Sequence, residues 1–204
     1  MLELQNDVLP IMEFFYTIQG EGFYSGRPAI FIRTAGCDVG CVWCDVKESW
    51  TISAEQYLNI EHILQEIKNY PSKFIVITGG EPLMHDLSRL TKTLKEAGYE
   101  IAIETSGTAL KSGIIDWYCF SPKKFKAPLD EAYSLANELK IVINHQSDFS
   151  WAEEQAEKVR FECALFLQPE WDKKERFLPQ IIEYVKENPK WKISLQTHKF
   201  MNIP

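Results

Sequence analysis

Cys37, Cys41 and Cys44 pack three thiols into a stretch that reads GCDVGCVWCDV. Three residues separate the first pair and two the second. A structural zinc site takes four protein ligands, and a catalytic one takes three plus an open position. Three cysteines with no adjacent histidine fit structural zinc poorly. The nearest histidine, His62, falls in a segment that reads as helix. Iron–sulfur clusters accept thiolates at this kind of spacing. A cubane held by only three of them keeps one iron open to a ligand that is not protein. Such a cluster is a reaction centre. Cys119 and Cys163 stand apart among apolar and aromatic neighbours and read as small buried hydrophobes. A distant fourth ligand from either one is the alternative. Five cysteines is an odd count, which argues against a disulfide framework.

The elements that would carry this loop alternate along the chain. Strand patterns cover Ala29 to Thr34 (AIFIRT), Phe74 to Thr78 (FIVIT), YEIAIET, DWYCFS, LKIVIN, CALFLQP and WKISLQT. Helical patterns cover about Ser53 to Asn69, with Ser53 as N-cap and Gln56 three residues on. Others cover Leu87 to Ala97, stopped by Gly98, a short piece near Glu131 to Glu138, and Lys174 to Lys186. This β-α alternation predicts an α/β fold with a mainly parallel sheet and helices outside. A full eight-unit barrel needs about 250 residues. The chain has 204, so an incomplete, open (β/α)6-type partial TIM barrel fits better, as one domain over 1–204. A doubly wound open sheet is the runner-up. Either fold gathers ligands at the carboxyl ends of its strands. Polar residues fall there: Thr78-Gly79-Gly80-Glu81, Glu104, Ser121, Lys123, Asn144 and Gln168.

The Cys-x3-Cys-x2-Cys spacing, with Trp43 just before the last cysteine, resembles the signature of radical S-adenosylmethionine enzymes. That resemblance implies a 4Fe-4S cluster on Cys37, Cys41 and Cys44, with S-adenosylmethionine on the free iron. It implies reductive cleavage to methionine and a 5′-deoxyadenosyl radical. The TGGEP run, Thr78 to Pro82, resembles the family's contact with the methionine amine, through Glu81 or nearby carbonyls. Glu104, Ser121, Lys123, Asn144 and Gln168 match positions that meet the ribose, the methionine carboxylate or the substrate.

Both termini narrow the resemblance. FYTIQGEG at Phe15 to Gly22, GRPAIFIRTAG at Gly26 to Gly36, and QTHKFMNIP at Gln196 to Pro204 are similar to the 7-carboxy-7-deazaguanine synthase family. That family contracts the ring of 6-carboxy-5,6,7,8-tetrahydropterin and releases ammonia. The resemblance implies that Glu21, with Ile18 and Gln19, reads the pterin's aminopyrimidinone edge. It implies that Arg33 holds the substrate carboxylate, and that His198 and the terminal carboxylate of Pro204 close the site. A homodimer and a flavodoxin- or ferredoxin-type reductant are further expectations.

One position departs. The family often places a threonine or serine two residues past the last cysteine, where its oxygen helps to hold Mg²⁺. Val46 stands there, and a hard cation wants oxygen ligands. Mg²⁺ dependence is expected to be weakened or altered. Two rival functions share parts of the pattern: a small activase for a glycyl-radical partner, and a non-enzymatic metal-stabilised interaction module. The balance of 22 basic against 29 acidic residues disfavours direct phosphate-backbone binding. No run of about 18 apolar residues predicts a membrane span. The N-terminus lacks a basic region followed by an apolar run, so a cytoplasmic, small-molecule enzyme is the expectation.

Overall fold

The computed structural model describes residues 7–204. Strand β1 (Val8–Ile18) runs antiparallel to β2 (Pro28–Thr34), and its first residues pair with β3 (Tyr57–Asn59). Helix α1 (Ile60–Ile67) follows directly. The chain then alternates through β4 (Phe74–Gly79), α2 (Ser88–Glu96), β5 (Glu100–Thr105) and β6 (Trp117–Phe120). It continues through α3 (Asp130–Leu135), β7 (Glu138–Ile143), α4 (Asp148–Ala156) and β8 (Ala164–Pro169). The last elements are α5 (Lys174–Glu187), β9 (Trp191–Ile193) and α6 (Thr197–Met201).

The sheet order is β3-β1-β2-β4-β5-β6-β7-β8-β9, and every pair from β2 onward is parallel. From β4 to β9 each new strand adds beside the last. A doubly wound sheet reverses that order at a switch point, so the singly wound, barrel-like reading holds. The two ends of the sheet do not pair, and the barrel stays open.

Two local expectations are corrected, and one helix, α4, was not anticipated. The sheet starts at β1 rather than at Ala29. The helix expected from Ser53 to Asn69 is shorter: Gln56 does reach back to the Ser53 amide at 2.8 Å, but around a 3-10 turn. Tyr57–Asn59 then leave to pair with β1, and Asn59 caps α1 by accepting from the Glu61 amide at 2.8 Å. Edge pairing outcompetes local helix propensity there. Helix α4 has few apolar residues on its stripe, mainly Phe149 and Ala152, so its pattern is faint in sequence.

Strand residues alternate between faces. On the outer face Ile30, Ile32, Ile75, Ile77, Ile101, Ile103, Leu139, Ile141 and Leu167 form one core with Ile63, Leu90, Leu94, Phe149 and Phe177 from the helices. The inner face splits along its length. At the amino ends Ala29, Phe74, Val76 and Ala102 pack with Tyr24, Phe31 and Trp117. Toward the carboxyl ends the same parity presents Arg33, Thr78, Glu104, Lys140 and Gln168. Leu90 is fully buried, so Leu90→Ala is expected to cost ~2–5 kcal/mol in urea unfolding. Phe161 is fully exposed, and Phe161→Ala should stay within about 0.5 kcal/mol. Equal effects would contradict this division of the core.

Candidate active site

A cavity of about 590 Å³ opens at the carboxyl ends of the strands. The cysteine loop forms one wall. Backbone bonds anchor its start: the Gly36 amide to Ser49 O at 2.7 Å and the Cys37 amide to Trp50 O at 3.2 Å. Trp50 Nε1 donates to Cys44 Sγ at 3.4 Å, and the Trp43 ring packs edge-on against Phe125 at 5.5 Å. Burial pushes the Cys41 thiol up, and Lys123 opposes that shift. All three cysteines are half-buried and line the cavity. Among the described residues no three His, Cys, Asp or Glu side chains converge on a single-ion site. A cubane does not ask for such convergence, because each thiolate takes its own iron. The donor set fits a cluster.

The Mg²⁺ position fits poorly. Val46 lines the cavity without an oxygen, and the neighbouring carboxylate is engaged. Asp45 Oδ2 accepts from Lys199 Nζ at 2.7 Å and from Gln196 Nε2 at 3.3 Å.

The glycine pair sits where strand β4 meets this loop. A Cβ on Gly79 would lie 2.3 Å from Thr34 O, and its φ of +148° is one that L residues rarely adopt. A Cβ on Gly80 would lie 2.2 Å from Gly36 O and 2.8 Å from Cys37 Cβ. The close approach is therefore first of all to the cysteine loop. Glu81 is almost fully buried with both oxygens occupied. Oε1 accepts from the Leu83 amide and Thr105 Oγ1, and Oε2 from the Ser106 amide and Oγ at 2.8 and 2.5 Å. The side chain ties the end of β4 to the end of β5. With its carboxylate committed to these bonds, a ligand contact from Glu81 falls to its backbone.

The opposite wall is a ring of charge. Lys140 Nζ on β7 contacts Glu21 Oε2 at 2.6 Å and Glu104 Oε2 at 2.8 Å. Gln19 Nε2 donates to Glu104 Oε1 at 3.3 Å, and Gln19 Oε1 accepts from the Glu21 amide at 3.1 Å. Gln196 Nε2 donates to Glu21 Oε1 at 2.9 Å. Burial pushes the Glu21 carboxyl up, but Lys140, Gln196 and His198 outweigh it and bring it down to about 2. Lys140 and Gln196 were not among the residues singled out from sequence. A lysine inside the apolar run LKIVI was the available signal, because lysine is almost never buried unpaired.

The C-terminal segment docks onto the same wall. The Thr197 amide and Oγ1 both donate to Gly20 O at 2.9 Å. Phe200 packs edge-on against Trp171 at 5.1 Å, and Pro204 reaches the cavity. His198 lies so close to Gly20 that a Cβ there would meet Nδ1 at 2.2 Å. Burial pulls the His198 imidazole down, against the opposing charge of Glu21.

The remaining residues singled out from sequence divide. Ile18, Thr78, Ser121, Lys123 and Gln168 line the cavity. Lys123 Nζ donates to Ser121 O and Oγ at 2.6 and 2.7 Å, and burial pulls its pKa down. Gln168 Oε1 accepts from Ser194 Oγ at 2.7 Å. Arg33 lines the cavity, paired through Nε with Glu13 Oε1 at 2.7 Å. Asn144 is not on the wall; its amide donates to Asp148 Oδ2, and its carbonyl accepts from Lys173 Nζ.

Comparison with known proteins agrees with this geometry. Residues 31–160 match the model of the radical SAM superfamily. The 7-carboxy-7-deazaguanine synthase of Flavobacterium psychrophilum is 52% identical over 200 residues, covering 98% of this chain and 95% of its own length. That of Synechocystis is 44% identical over 201 residues, with 98% and 96% covered. The chain belongs to the 7-carboxy-7-deazaguanine synthase family of radical SAM enzymes. The crystal structure of QueE from Escherichia coli superposes with a TM-score of 0.86 at 32% identity, covering 96% of this chain and 98% of that one. The partial-barrel reading is thereby established for this family member. Among the described residues no helix is long and apolar enough to cross a membrane.

The Gly80 contact is directly testable. Gly80→Ala should push the Cys37 end of the loop and lower iron and visible absorption after anaerobic reconstitution. Phe161→Ala, at a fully exposed side chain, should load normally. Full loading of Gly80→Ala would contradict the packing argument.

Proposed function

We propose that this chain converts 6-carboxy-5,6,7,8-tetrahydropterin to 7-carboxy-7-deazaguanine and ammonia, in 7-deazapurine and queuosine biosynthesis. One observation carries the reading. The three cysteines and the Glu21 wall face a single cavity, whose volume is in the range of small-ligand sites. When bound, the 4Fe-4S cluster and S-adenosylmethionine supply the radical chemistry, which belongs to the cofactor. The protein supplies ligands, orientation and exclusion of water.

Cys37, Cys41 and Cys44 hold the cluster. Backbone at Thr78 to Glu81, with Ser121, Lys123 and Gln168, is assigned to S-adenosylmethionine. Glu21 is assigned to the pterin's N–H edge, because an ionised carboxylate opposite a guanidine-like donor pair makes charge-assisted hydrogen bonds. Arg33 is assigned to the substrate carboxylate; it would exchange Glu13 for that group. His198 is assigned as a hydrogen-bonding partner of the substrate, and Pro204 closes the site. Electrons come from a flavodoxin- or ferredoxin-type protein, and the working form is a cytoplasmic homodimer.

Two outcomes test these roles. Changing any one of the three cysteines to alanine should abolish 5′-deoxyadenosine formation, while Glu21→Gln should raise KM by ~10-fold or more with cleavage retained. Persistent cleavage in a cysteine variant would refute the cluster assignment. The depressed Glu21 carboxyl keeps its charge, and the stability linked to it, from above its ordinary value of 4.5 until pH falls through about 2. KM should therefore be flat through the neutral range. The metal question has its own assay. Turnover should change little on removal of Mg²⁺, and Val46→Thr should make it more Mg²⁺-dependent; a strict requirement in the parent would refute the weakening.

A further inference from the structure

Lys140 belongs to none of the roles above, yet its ammonium is enclosed in the cavity wall, with its side chain 5% exposed. It projects from β7 between residues of two other parts of the chain, Glu21 after β1 and Glu104 on β5. Through Gln19 the contacts close into a ring: Lys140 to Glu104, Glu104 to Gln19, Gln19 to the Glu21 amide, Glu21 back to Lys140.

The surrounding groups leave Lys140 as the counter-charge of this ring. Glu138, two residues earlier on the same face of β7, is buried; its Oε2 accepts from the Phe23 amide and Trp117 Nε1, and burial pushes its carboxyl up. Cys119 on β6 is buried, and its thiol is raised well above the ordinary value. Burial pulls the His198 imidazole on α6 down, and Lys123 is occupied by Ser121. Two carboxylates contact this one ammonium directly, Glu21 and Glu104. Without it they would face each other in a site shielded from water, and like charges so placed do not both stay ionised. Each carboxylate oxygen has room for about two hydrogen bonds. The ring uses one on three of the four oxygens and Gln196 uses one on the fourth, Glu21 Oε1, which leaves acceptor capacity on both carboxylates.

Resting on the assignment of substrate to the Glu21 wall, we infer that Lys140 is a positioning residue: it fixes Glu21 and Glu104 as a joint acceptor pair that selects a substrate edge rich in N–H donors. Lys140 does not touch the substrate. It sets the geometry and the charge of the groups that do.

The test uses reconstituted holoenzyme, with kcat and KM for carboxytetrahydropterin followed between about pH 6 and 8.5. In Lys140→Met the two carboxylates share a proton at low pH. KM should rise ~10–100-fold there and fall as pH increases and that proton is lost, with a smaller change in kcat. Lys140→Arg should recover most of the loss. The double variant Lys140→Met with Glu104→Gln removes one charge of each sign and should restore a flat profile. It also carries the test if Lys140→Met alone fails to fold. Iron content and S-adenosylmethionine binding should match the parent throughout. A flat profile with parental KM in Lys140→Met, or a slope that persists in the double variant, would overturn the inference. Glu21→Gln run in parallel separates the two levels. An unmoved KM there means that the substrate does not use this wall. A raised KM beside a flat Lys140→Met profile means that only the role of Lys140 is wrong.

Discussion

An ammonium cut off from water stays charged only if charge is brought to it. Lys140 meets that condition with Glu21 and Glu104, and much of the site follows from this pairing. Glu21 comes from the turn after β1, near one end of the sheet, Glu104 from its middle, and Lys140 from two strands further along. One nitrogen therefore ties the N-terminal segment to the barrel. Gln196 and Lys199 extend the tie to Asp45, beside the cysteine loop. The N-terminal arm, the C-terminal segment and the cysteine loop are held in register by a chain of polar contacts around one cavity.

The sheet supplies the frame. Its outer face is a continuous apolar layer against helices, while its inner face turns from aromatic packing to polar function along each strand. Strand parity then decides which residues can do chemistry, because a one-residue slip would exchange Ile77 for Thr78 or Ile103 for Glu104. The cysteine loop has little regular structure of its own. It is positioned by backbone bonds to Ser49 and Trp50 and by the absence of a side chain at Gly80.

How much of this was legible in sequence depends on the range of the interaction. The seven parallel strands follow from alternation and β-branched content, and the cysteine loop and the cavity-lining residues after β4, β5, β6 and β8 follow from their place at carboxyl ends. Strand β1 was not legible as sheet, because its glutamate and proline dilute the pattern. The α1 start was misplaced because a good capping pair at Ser53 and Gln56 was used for a single turn. Glu81 had the right address but a different role, since only the folded chain brings Thr105 and Ser106 to its oxygens. Asn144 ends a strand but bends away to Asp148 and Lys173. Lys140 was visible as an anomaly, but its two partners lie 119 and 36 residues away.

The central claim is that one cavity brings the radical source and the substrate together, between the cysteine loop and the Glu21 wall. An anaerobic crystal structure of the reconstituted protein with S-adenosylmethionine and 6-carboxytetrahydropterin tests it most directly. The account predicts S-adenosylmethionine on the free iron, the pterin's N–H edge on an intact Glu21–Lys140–Glu104 group, and its carboxylate at Arg33. A pterin bound elsewhere, or turned with its carboxylate toward Glu21, would contradict it.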